Sequence, residues 1–195
     1  YDVRGIYGDD IDGDTAEAVG RGLARALSDL SGKPASELRI GLGRDMRLSA
    51  PELSGRYRDG MVAEGAHVVD AGQVGTEMVY WLVGSRDLDG GLMCTASHNP
   101  KAYTGAKLVE RGSVALSGDR GLQEIRAHIE NGLGEAPGGG SSEEVDAVIE
   151  PEHESVFRRE HGEDRPRVVR RRVVRGGAGV DPSRLAHGPS GAGPR

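Results

Sequence analysis

Apolar residues recur through the first two thirds of the chain with two alternating periods, one typical of helices and one typical of strands. Spacings of three and four residues predict helices at 14–32, 49–65, 76–83 and 117–132. Short apolar runs predict strands at 38–42, 67–70, 91–95 and 106–110. Because strands alternate with helices of this length, the pattern predicts βαβ crossovers and an α/β sandwich with a mainly parallel sheet.

Residues that favour helix ends support these boundaries. A side chain that can accept hydrogen bonds from free N–H groups stands at the start of each predicted helix: Asp14, Ser49, Thr76 and Ser117. Glu17 and Glu52 follow the first two at the spacing of a capping box. Glycine, which favours the end of a helix, closes three of them at Gly32, Gly65 and Gly132. The core face of the second helix is predicted at Leu53, Tyr57 and Met61.

The composition changes after the fourth predicted helix. Residues 134–142 are rich in Gly and Ser, which predicts a flexible loop or linker, and a further amphipathic helix is predicted from 143 to about 160. Residues 165–195 contain eight Arg, six Gly and four Pro. Such a segment has too few apolar side chains to offset the entropy of ordering it. The predicted organisation is a domain at 1–150, a linker or helix at 151–164 and a disordered segment at 165–195.

Charge is divided unevenly along the chain. The 195 residues have a formal net charge of −6, but residues 165–195 carry +7 and residues 1–164 carry −13. The acidic first part argues against nucleic-acid binding across the whole surface. The basic segment taken alone is open to interpretation as a nucleic-acid arm, although it has no aromatic residue to stack on bases.

The single cysteine and the lengths of the apolar runs argue against a disulfide-linked, a zinc-binding or a membrane-spanning protein. Cys94 cannot form an internal disulfide and offers no zinc-ligand spacing, so it is predicted to be a buried thiol. No apolar run is long enough to cross a bilayer, and the charged start lacks the core of a signal peptide. A cytoplasmic protein is therefore expected, and the first residue, which is not Met, suggests a fragment or a trimmed chain.

Four polar segments lie beside the ends of predicted strands, at 1–5, 43–49, 95–100 and 103–107. The second begins like a dinucleotide fingerprint but has Met46 at the third glycine position. Ligands of open α/β sheets bind at the carboxyl ends of the strands, which places Ser97, directly after the strand at 91–95, at that edge. A phosphate on Ser97 would carry nearly two negative charges. Arg4, Lys107 and Lys101 are the cations that can balance them.

Taken singly, each of these residues has an ordinary interpretation. A serine in a turn is most often a capping hydroxyl, and a lone arginine or lysine is most often a solvated surface charge. His98 is not automatically the base for its neighbour, because adjacent side chains on an extended segment point apart.

The four segments together resemble the α-D-phosphohexomutases, the phosphomannomutase and phosphoglucomutase family. The motifs are Tyr-Asp-Val-Arg-Gly at 1–5, Gly-Arg-Asp-Met-Arg-Leu-Ser at 43–49, Thr-Ala-Ser-His-Asn-Pro at 95–100 and Gly-Ala-Lys at 105–107. Their order and spacing are similar to those of the family, and the resemblance covers about residues 1–150, its first domain. It implies a three-layer sandwich with a mixed, mainly parallel sheet. Glu77, Thr104 and Ala106 stand where the family usually has Pro, Asn and an aromatic residue.

The resemblance implies a phosphoryl shuttle between the 1- and 6-positions of a hexose. Phosphorylated Ser97 gives its phosphate to a hexose phosphate, and the resulting hexose 1,6-bisphosphate, which also serves as activator, turns over and returns the other phosphate. A magnesium ion that contacts phosphorylated Ser97 is implied as the cofactor. A phosphorylated hexose is the implied partner, and no membrane or nucleic acid is expected.

The resemblance also assigns roles to individual residues. Arg4 and Lys107 match residues implicated in proton transfer and charge stabilisation. His98 and Asn99 are expected to shape the loop and bond the phosphate, and Lys101 is a further cation for it.

The family's later motifs, its acidic metal loop and its distal phosphate loop, are absent from this sequence. This leads to the expectation that the chain is truncated and inactive alone, with a shifted reading frame from about residue 165 in a GC-rich gene. A non-catalytic, phosphate-accepting binding module remains the alternative, and a basic-tailed nucleic-acid binder is less favoured. The sequence does not distinguish the sugar or the oligomeric state.

Overall fold

The computed structural model describes residues 3–118 and 120–146, in which helices and strands alternate. The helices are α1 (Gly13–Ser31), α2 (Ala50–Ala63), α3 (Thr76–Ser85) and α4 (Leu122–Glu130). The strands are β1 (Val3–Ile6), β2 (Arg39–Arg44), β3 (His67–Gln73), β4 (Gly90–Cys94), β5 (Tyr103–Glu110), β6 (Val114–Ala115) and β7 (Ser141–Glu144). All four predicted helices and all four predicted strands are present, and β1, β6 and β7 are additional to the prediction.

One mixed sheet joins the seven strands of the described residues. Its order is β1-β5-β4-β2-β3-β7, with β6 paired to β5. The pairs β4–β2, β2–β3 and β3–β7 are parallel, whereas β5 is antiparallel to β1, β4 and β6. Six strands therefore run in one direction and β5 in the other, which confirms the mixed, mainly parallel sheet. The reversal of β5 follows from its short connection to β4, which contains no crossover helix.

Helices cover both faces of the sheet and complete the three layers. On one face, side chains from β2 and β4 pack against α1 and α2 in a single apolar cluster: Ile40, Leu42, Leu92 and Cys94. On the other face, a smaller cluster joins Val69 and Val109 to Leu82 and Val83 of α3. Successive strand residues point to opposite faces, so one strand supplies both clusters. Leu53, Tyr57 and Met61 are completely buried, as the helical spacing predicted.

Helices α1 and α2 are in backbone contact at two glycines. A Cβ atom on Gly20 would collide with the carbonyl oxygen of Tyr57, and one on Gly60 would collide with the carbonyl oxygen of Glu17. The helices can approach this closely because neither residue has a side chain. The two glycines therefore set the distance between the helices that cover β2 and β4.

The predicted capping groups are wrong for all four helices, although α2 and α3 begin within one residue of the predicted positions. Helix α1 is capped by Asp12, whose carboxylate accepts the N–H of Thr15, and not by Asp14. Ser49 has a helical backbone and no capping hydrogen bond, because α2 continues directly from a turn. Gly75 precedes α3, so Thr76 is its first residue rather than its cap. Ser117 lies in a bridge to Arg120, and α4 begins only at Leu122.

The prediction for the segment after α4 is also wrong in part. Residues 141–144, expected at the end of a linker and the start of a helix, form β7 in parallel register with β3. Pairing to an existing sheet edge supplies hydrogen bonds that the local sequence does not indicate. The expectations for 147–195, including the linker at 151–164 and disorder at 165–195, concern residues outside the described part of the chain.

Two further predictions concern burial and membranes. Cys94 is completely buried at the end of β4, as predicted for a structural thiol. In the described residues, no helix combines the length and the apolar character needed to span a bilayer.

Candidate functional site

The loop at 95–102 lies at the carboxyl edge of the parallel strands. It connects Cys94, the last residue of β4, to Tyr103, the first residue of β5. Strands β2 and β3 end at the same edge, because they run parallel to β4. The segments at 45–49 and 73–77 therefore meet the loop there, at the position where ligands of α/β sheets bind.

Ser97 occupies the exposed tip of this loop in a left-handed backbone conformation. Its φ angle is 54°, which is uncommon for a residue other than glycine. The Ser97 N–H donates to Thr95 Oγ1 at 2.9 Å, and the Thr95 hydroxyl donates to Asp45 Oδ2 at 2.7 Å. Asp45, the residue directly after β2, therefore holds the Ser97 backbone in place through the Thr95 hydroxyl.

Asn99 is turned back on its own loop. Its side-chain amide and its backbone N–H both donate to the carbonyl of Ala96, at 2.9 and 3.1 Å. The loop closes through a further turn in which the N–H of Tyr103 donates to the carbonyl of Pro100. His98 and Lys101 are both exposed.

Arg47 holds the loop from the side. Its guanidinium donates to the carbonyl oxygens of Ser97 and Asn99 at 2.9 and 2.8 Å and to those of Pro100 and Tyr103 at 3.0 and 3.2 Å. Its Nε donates to Asp45 Oδ2 at 3.1 Å, and only 15% of the side chain is exposed. One largely buried side chain therefore ties together the loop backbone from Ser97 to Tyr103.

A pocket of about 960 Å³ opens between this loop and the start of α3. Its lining includes five of the predicted site residues: Ser97, His98, Asn99, Lys101 and Lys107. Lys107 reaches it from β5, where it lies opposite Met93 on the face that α3 partly covers. The lining carries both signs of charge, since Asp45 and Glu77 also contribute.

Arg4 lies beside this pocket rather than in its lining as the structure describes it. It pairs with Gly105 across β1 and β5, so it is on the same sheet face as Lys107, two residues further along β5. The two cations are diagonal neighbours, within reach of long side chains. The structure thus brings all six predicted residues to one edge and one face.

Burial raises the pKa values of two groups in the packed layer beneath the loop, Cys94 and Tyr57. Burial raises the pKa of the Cys94 thiol from 9.0 to about 12, and the nearby Asp45 carboxylate adds to the effect. Burial also raises the pKa of the hydroxyl of Tyr57, a residue of α2 whose side chain lies near Cys94.

A sequence profile of the phosphoglucomutase/phosphomannomutase alpha/beta/alpha domain I matches residues 1–134, more than half of the chain. The chain belongs to this family. The resemblance carried by the four sequence motifs is therefore confirmed, and so is its assignment to the first domain.

Individual members of the phosphoglucomutase/phosphomannomutase family agree with the profile. A phosphomannomutase of Vibrio cholerae is 38% identical over 130 residues, covering 67% of this chain and 27% of its own. A Klebsiella pneumoniae phosphomannomutase is 37% identical over 126 residues and is covered to 75%. A crystal structure of a family protein from Burkholderia thailandensis superimposes with a TM-score of 0.66 at 32% identity, over 84% of this chain and 34% of that one. The chain thus spans about a quarter of the length of several of these curated relatives.

The magnesium ion implied by the family resemblance does not fit the described residues alone. Mg²⁺ prefers six oxygen ligands in near-octahedral geometry. Both carboxylate oxygens of Asp45, the acid nearest to the serine loop, already accept hydrogen bonds from Arg47 and Thr95. Within 3–118 and 120–146, no three His, Cys, Asp or Glu side chains lie together as a metal site.

Sequence reasoning missed Asp45, Arg47 and Thr95 as the supports of the loop, and it missed the start of α3 as a wall of the pocket. The motif at 43–49 marked the first two as part of a site, but a lone arginine carries no signal of which carbonyls it will meet. The segment at 73–77 joins the site because β3 ends at the same edge of the sheet as β4 and α3 begins there.

Proposed function

We propose that this chain is the phosphoserine-bearing first domain of a phosphohexose mutase, in which Ser97 accepts and returns a phosphoryl group. The observation that carries the proposal is the placement of Ser97. Its hydroxyl belongs to a loop at the carboxyl edge of the sheet, in the lining of a pocket that also contains Lys101 and Lys107. Relatives named phosphomannomutase over the same residues support the substrate class, a hexose phosphate.

The proposed half-reaction transfers one phosphoryl group from a hexose 1,6-bisphosphate to the protein. Ser97 Oγ attacks phosphorus, the Oγ–P bond forms, and the P–O bond to the sugar breaks. The hydroxyl proton of Ser97 ends on the sugar oxygen that leaves. In the reverse direction the phosphoserine transfers its group to the free hydroxyl of a hexose monophosphate, so one complete cycle exchanges the 1- and 6-positions.

The described residues contribute mainly charge and position, which dominate catalysis of phosphoryl transfer. Lys107 and Lys101 supply positive charge from two sides of the pocket, and Arg4 adds to it from the same sheet face. His98 and Asn99 flank the phosphate position, with the Asn99 amide anchored to Ala96. A magnesium ion is predicted to bind through phosphorylated Ser97, with its other ligands outside the described residues.

Isomerisation by this chain alone is not expected. The complete cycle requires that the bisphosphorylated sugar turn over and be held again in the second orientation, whereas one transfer to Ser97 does not, and orientation is worth several powers of ten in rate. The chain covers 27% of the Vibrio cholerae phosphomannomutase, and complete isomerisation is proposed for a full-length protein that contains such a domain. Its predicted cytoplasmic location likewise stays a prediction.

The experiment that tests the proposal is a phosphorylation assay on the purified chain. The chain is incubated with glucose 1,6-bisphosphate or mannose 1,6-bisphosphate, and intact mass and peptide mapping follow the gain of one phosphoryl group. We expect uptake at Ser97, none in Ser97→Ala, and unchanged uptake in a Ser117→Ala control. Absence of phosphate from wild type with both donors, or phosphate at another residue, contradicts the proposal.

A matched measurement separates the mutase from a phosphate-accepting binding module. The phosphorylated chain is mixed with glucose 1-phosphate or mannose 1-phosphate, and release of the phosphoryl group to the sugar is followed. Transfer to the sugar supports the mutase half-reaction, whereas a phosphoserine that persists favours the binding module.

A further inference from the structure

The serine loop is held in a conformation that its own residues do not favour. Ser97 has a φ angle of 54°, and side chains with a Cβ atom pay a free-energy cost in this left-handed region. Such conformations persist only where the surrounding structure enforces them. The groups that enforce this one must hold the backbone on both sides of the Ser97 Cα atom.

Arg47 makes the contacts on the carbonyl side of Ser97. A guanidinium group has five N–H donors in a fixed fork, and each of those of Arg47 has an acceptor. Four meet the carbonyl oxygens of the loop, at Ser97, Asn99, Pro100 and Tyr103, and the fifth meets Asp45. No donor is left over for a phosphate, although Arg47 lies in the wall of the pocket.

Asp45 links the arginine to the backbone of Ser97 by a second route. Its carboxylate accepts Arg47 Nε at 3.1 Å and the Thr95 hydroxyl at 2.7 Å, and Thr95 Oγ1 in turn accepts the N–H of Ser97 at 2.9 Å. Ser97 is therefore held at its carbonyl by Arg47 and at its N–H by Thr95, with both holders fixed by one carboxylate. The two contacts determine the backbone torsions on either side of Cα.

We infer that Arg47 is a positioning residue for phosphoryl transfer: it sets the direction of the Ser97 hydroxyl and does not bind the donor. The inference rests on the proposed role of Ser97 as phosphoryl acceptor and extends it to a residue outside the reacting groups. A lysine at position 47 keeps the charge but has one nitrogen with three donors, so it cannot meet four carbonyls and a carboxylate. Arg47→Lys should therefore disturb the loop while preserving the charge of the pocket.

Two variants test this with the same chemical change. Arg47→Lys is compared with Arg56→Lys, since Arg56 is also partly buried and bonds a backbone carbonyl and carboxylates, but lies between α1 and α2, away from the pocket. The single-turnover rate of Ser97 phosphorylation is measured against the concentration of glucose 1,6-bisphosphate. In Arg47→Lys we expect the maximal rate to fall at least about tenfold with an unchanged half-saturating concentration. In Arg56→Lys both should match wild type.

Amide hydrogen exchange of Ser97 and Asn99, followed by NMR, provides a readout that does not depend on phosphoryl transfer. We expect both amides to exchange about tenfold faster or more in Arg47→Lys and at the wild-type rate in Arg56→Lys, with the exchange of core strand amides unchanged. Unchanged exchange in Arg47→Lys overturns the inference. So does a raised half-saturating concentration at an unchanged maximal rate, because that result assigns Arg47 to donor binding.

Failure of the proposed function has a different signature. If the wild-type chain takes up no phosphate, the role of Ser97 as acceptor is wrong. The exchange of Ser97 and Asn99 still decides whether Arg47 holds the loop, with slower exchange in wild type than in Arg47→Lys as the supporting result.

Discussion

On one face of the sheet, α1 and α2 pack in backbone contact and, with α4, bury a continuous apolar cluster. On the other face, in the described part of the chain, α3 buries a smaller cluster. It does not bury the charged side chains Lys107 of β5 and Arg4 of β1 on that face. The pocket with Ser97 opens at the edge of this second, partly covered face. Packing therefore supplies stability on one side and an accessible, charged surface on the other.

The comparison indicates that substitutions on the two faces should affect different quantities. A change in the α1–α2 contact should lower the free energy of unfolding, because close-packed interiors accommodate extra atoms poorly. A change on the open face should alter phosphate uptake and leave the free energy of unfolding nearly unchanged, since surface charges contribute little to it. The predictions below test this separation in order of decreasing effect.

The largest effect is expected at the helix crossing. Gly60→Ala places a Cβ atom against the backbone of α1 at Glu17, where no flexible side chain can move aside. We expect the free energy of unfolding to fall by about 3 kcal/mol, as for other overpacked sites. Urea unfolding measures it.

Gly55 provides the control for this substitution on the same helix. A Cβ atom there meets only Arg58 Nη2, at 3.8 Å. Gly55→Ala should stabilise the chain by roughly 0.5–1 kcal/mol, the usual gain in a helix interior. Equal effects of the two substitutions would show that the close crossing of α1 and α2 does not limit the fold.

The next effect concerns the carboxylate that holds the end of α2 to α1. Glu64, with 4% of its side chain exposed, accepts hydrogen bonds from Arg21 and Arg25 at 2.6 and 2.9 Å. Glu64→Gln removes the charge while keeping the shape, so two partly buried guanidinium groups lose their counterion. We expect a loss of about 2 kcal/mol in the free energy of unfolding.

The matched control is Glu130→Gln, which breaks an exposed pair with Arg126 on α4. An exposed pair of this spacing contributes roughly 0.3–0.5 kcal/mol. Chemical denaturation measures the free energy of unfolding of both variants. A loss in Glu64→Gln no larger than in Glu130→Gln contradicts the role of Glu64 in holding α2 to α1.

On the open face, Lys107→Met should slow phosphate uptake without destabilising the fold. The substitution removes one positive charge from the pocket wall while keeping an aliphatic chain. We expect the rate of Ser97 phosphorylation to fall about tenfold, equal to about 1.4 kcal/mol, and to depend less on salt than in wild type.

Lys33→Met makes the same change in net charge elsewhere. Lys33 pairs with Asp89. Asp89 directly precedes β4, so this pair lies at the amino edge of the strands, opposite the edge where the pocket opens. This variant should phosphorylate at the wild-type rate. If it slows uptake as much as Lys107→Met does, net charge rather than the position of Lys107 is responsible.

The smallest effect is the pH dependence contributed by Cys94 on the packed face. Its pKa is raised in the folded chain to about 12, from 9.0. A raised pKa means that stability is complete below pH 9 and is lost as the pH rises toward the folded value, because only the unfolded thiol ionises there. Between pH 8 and pH 10, wild type should lose about 1 kcal/mol more than Cys94→Ala.

The free energies of unfolding from urea titrations at both pH values check this. Comparing the pH-dependent loss cancels the constant cost of the cavity in Cys94→Ala. An identical loss in both proteins would mean that the thiol ionises freely in the folded state and that the layer beneath the serine loop is less well excluded from solvent.

Regular elements and the serine loop were predictable because their signals are local. The core face of α2 at Tyr57 and Met61 follows from helical spacing, and the position of Ser97 follows from the strand that precedes it. The caps at Ser49 and Thr76 were predicted wrongly, since Ser49 makes no capping hydrogen bond and Gly75, not Thr76, occupies the position before α3. Strand β7 was missed because its residues are all exposed and only the edge of β3 makes them a strand.

By itself, the sequence determined the alternation of helices and strands, the buried positions, the family and the loop that carries the candidate phosphoserine. Apolar periodicity and a contiguous motif contain that information within a few residues of each position. Only the tertiary structure decided that Arg47 and Asp45 hold Ser97, that Lys107 and Arg4 share one sheet face, and that α3 walls the pocket. These relations join residues far apart in the chain, and their geometry depends on strand register and helix packing rather than on any local pattern.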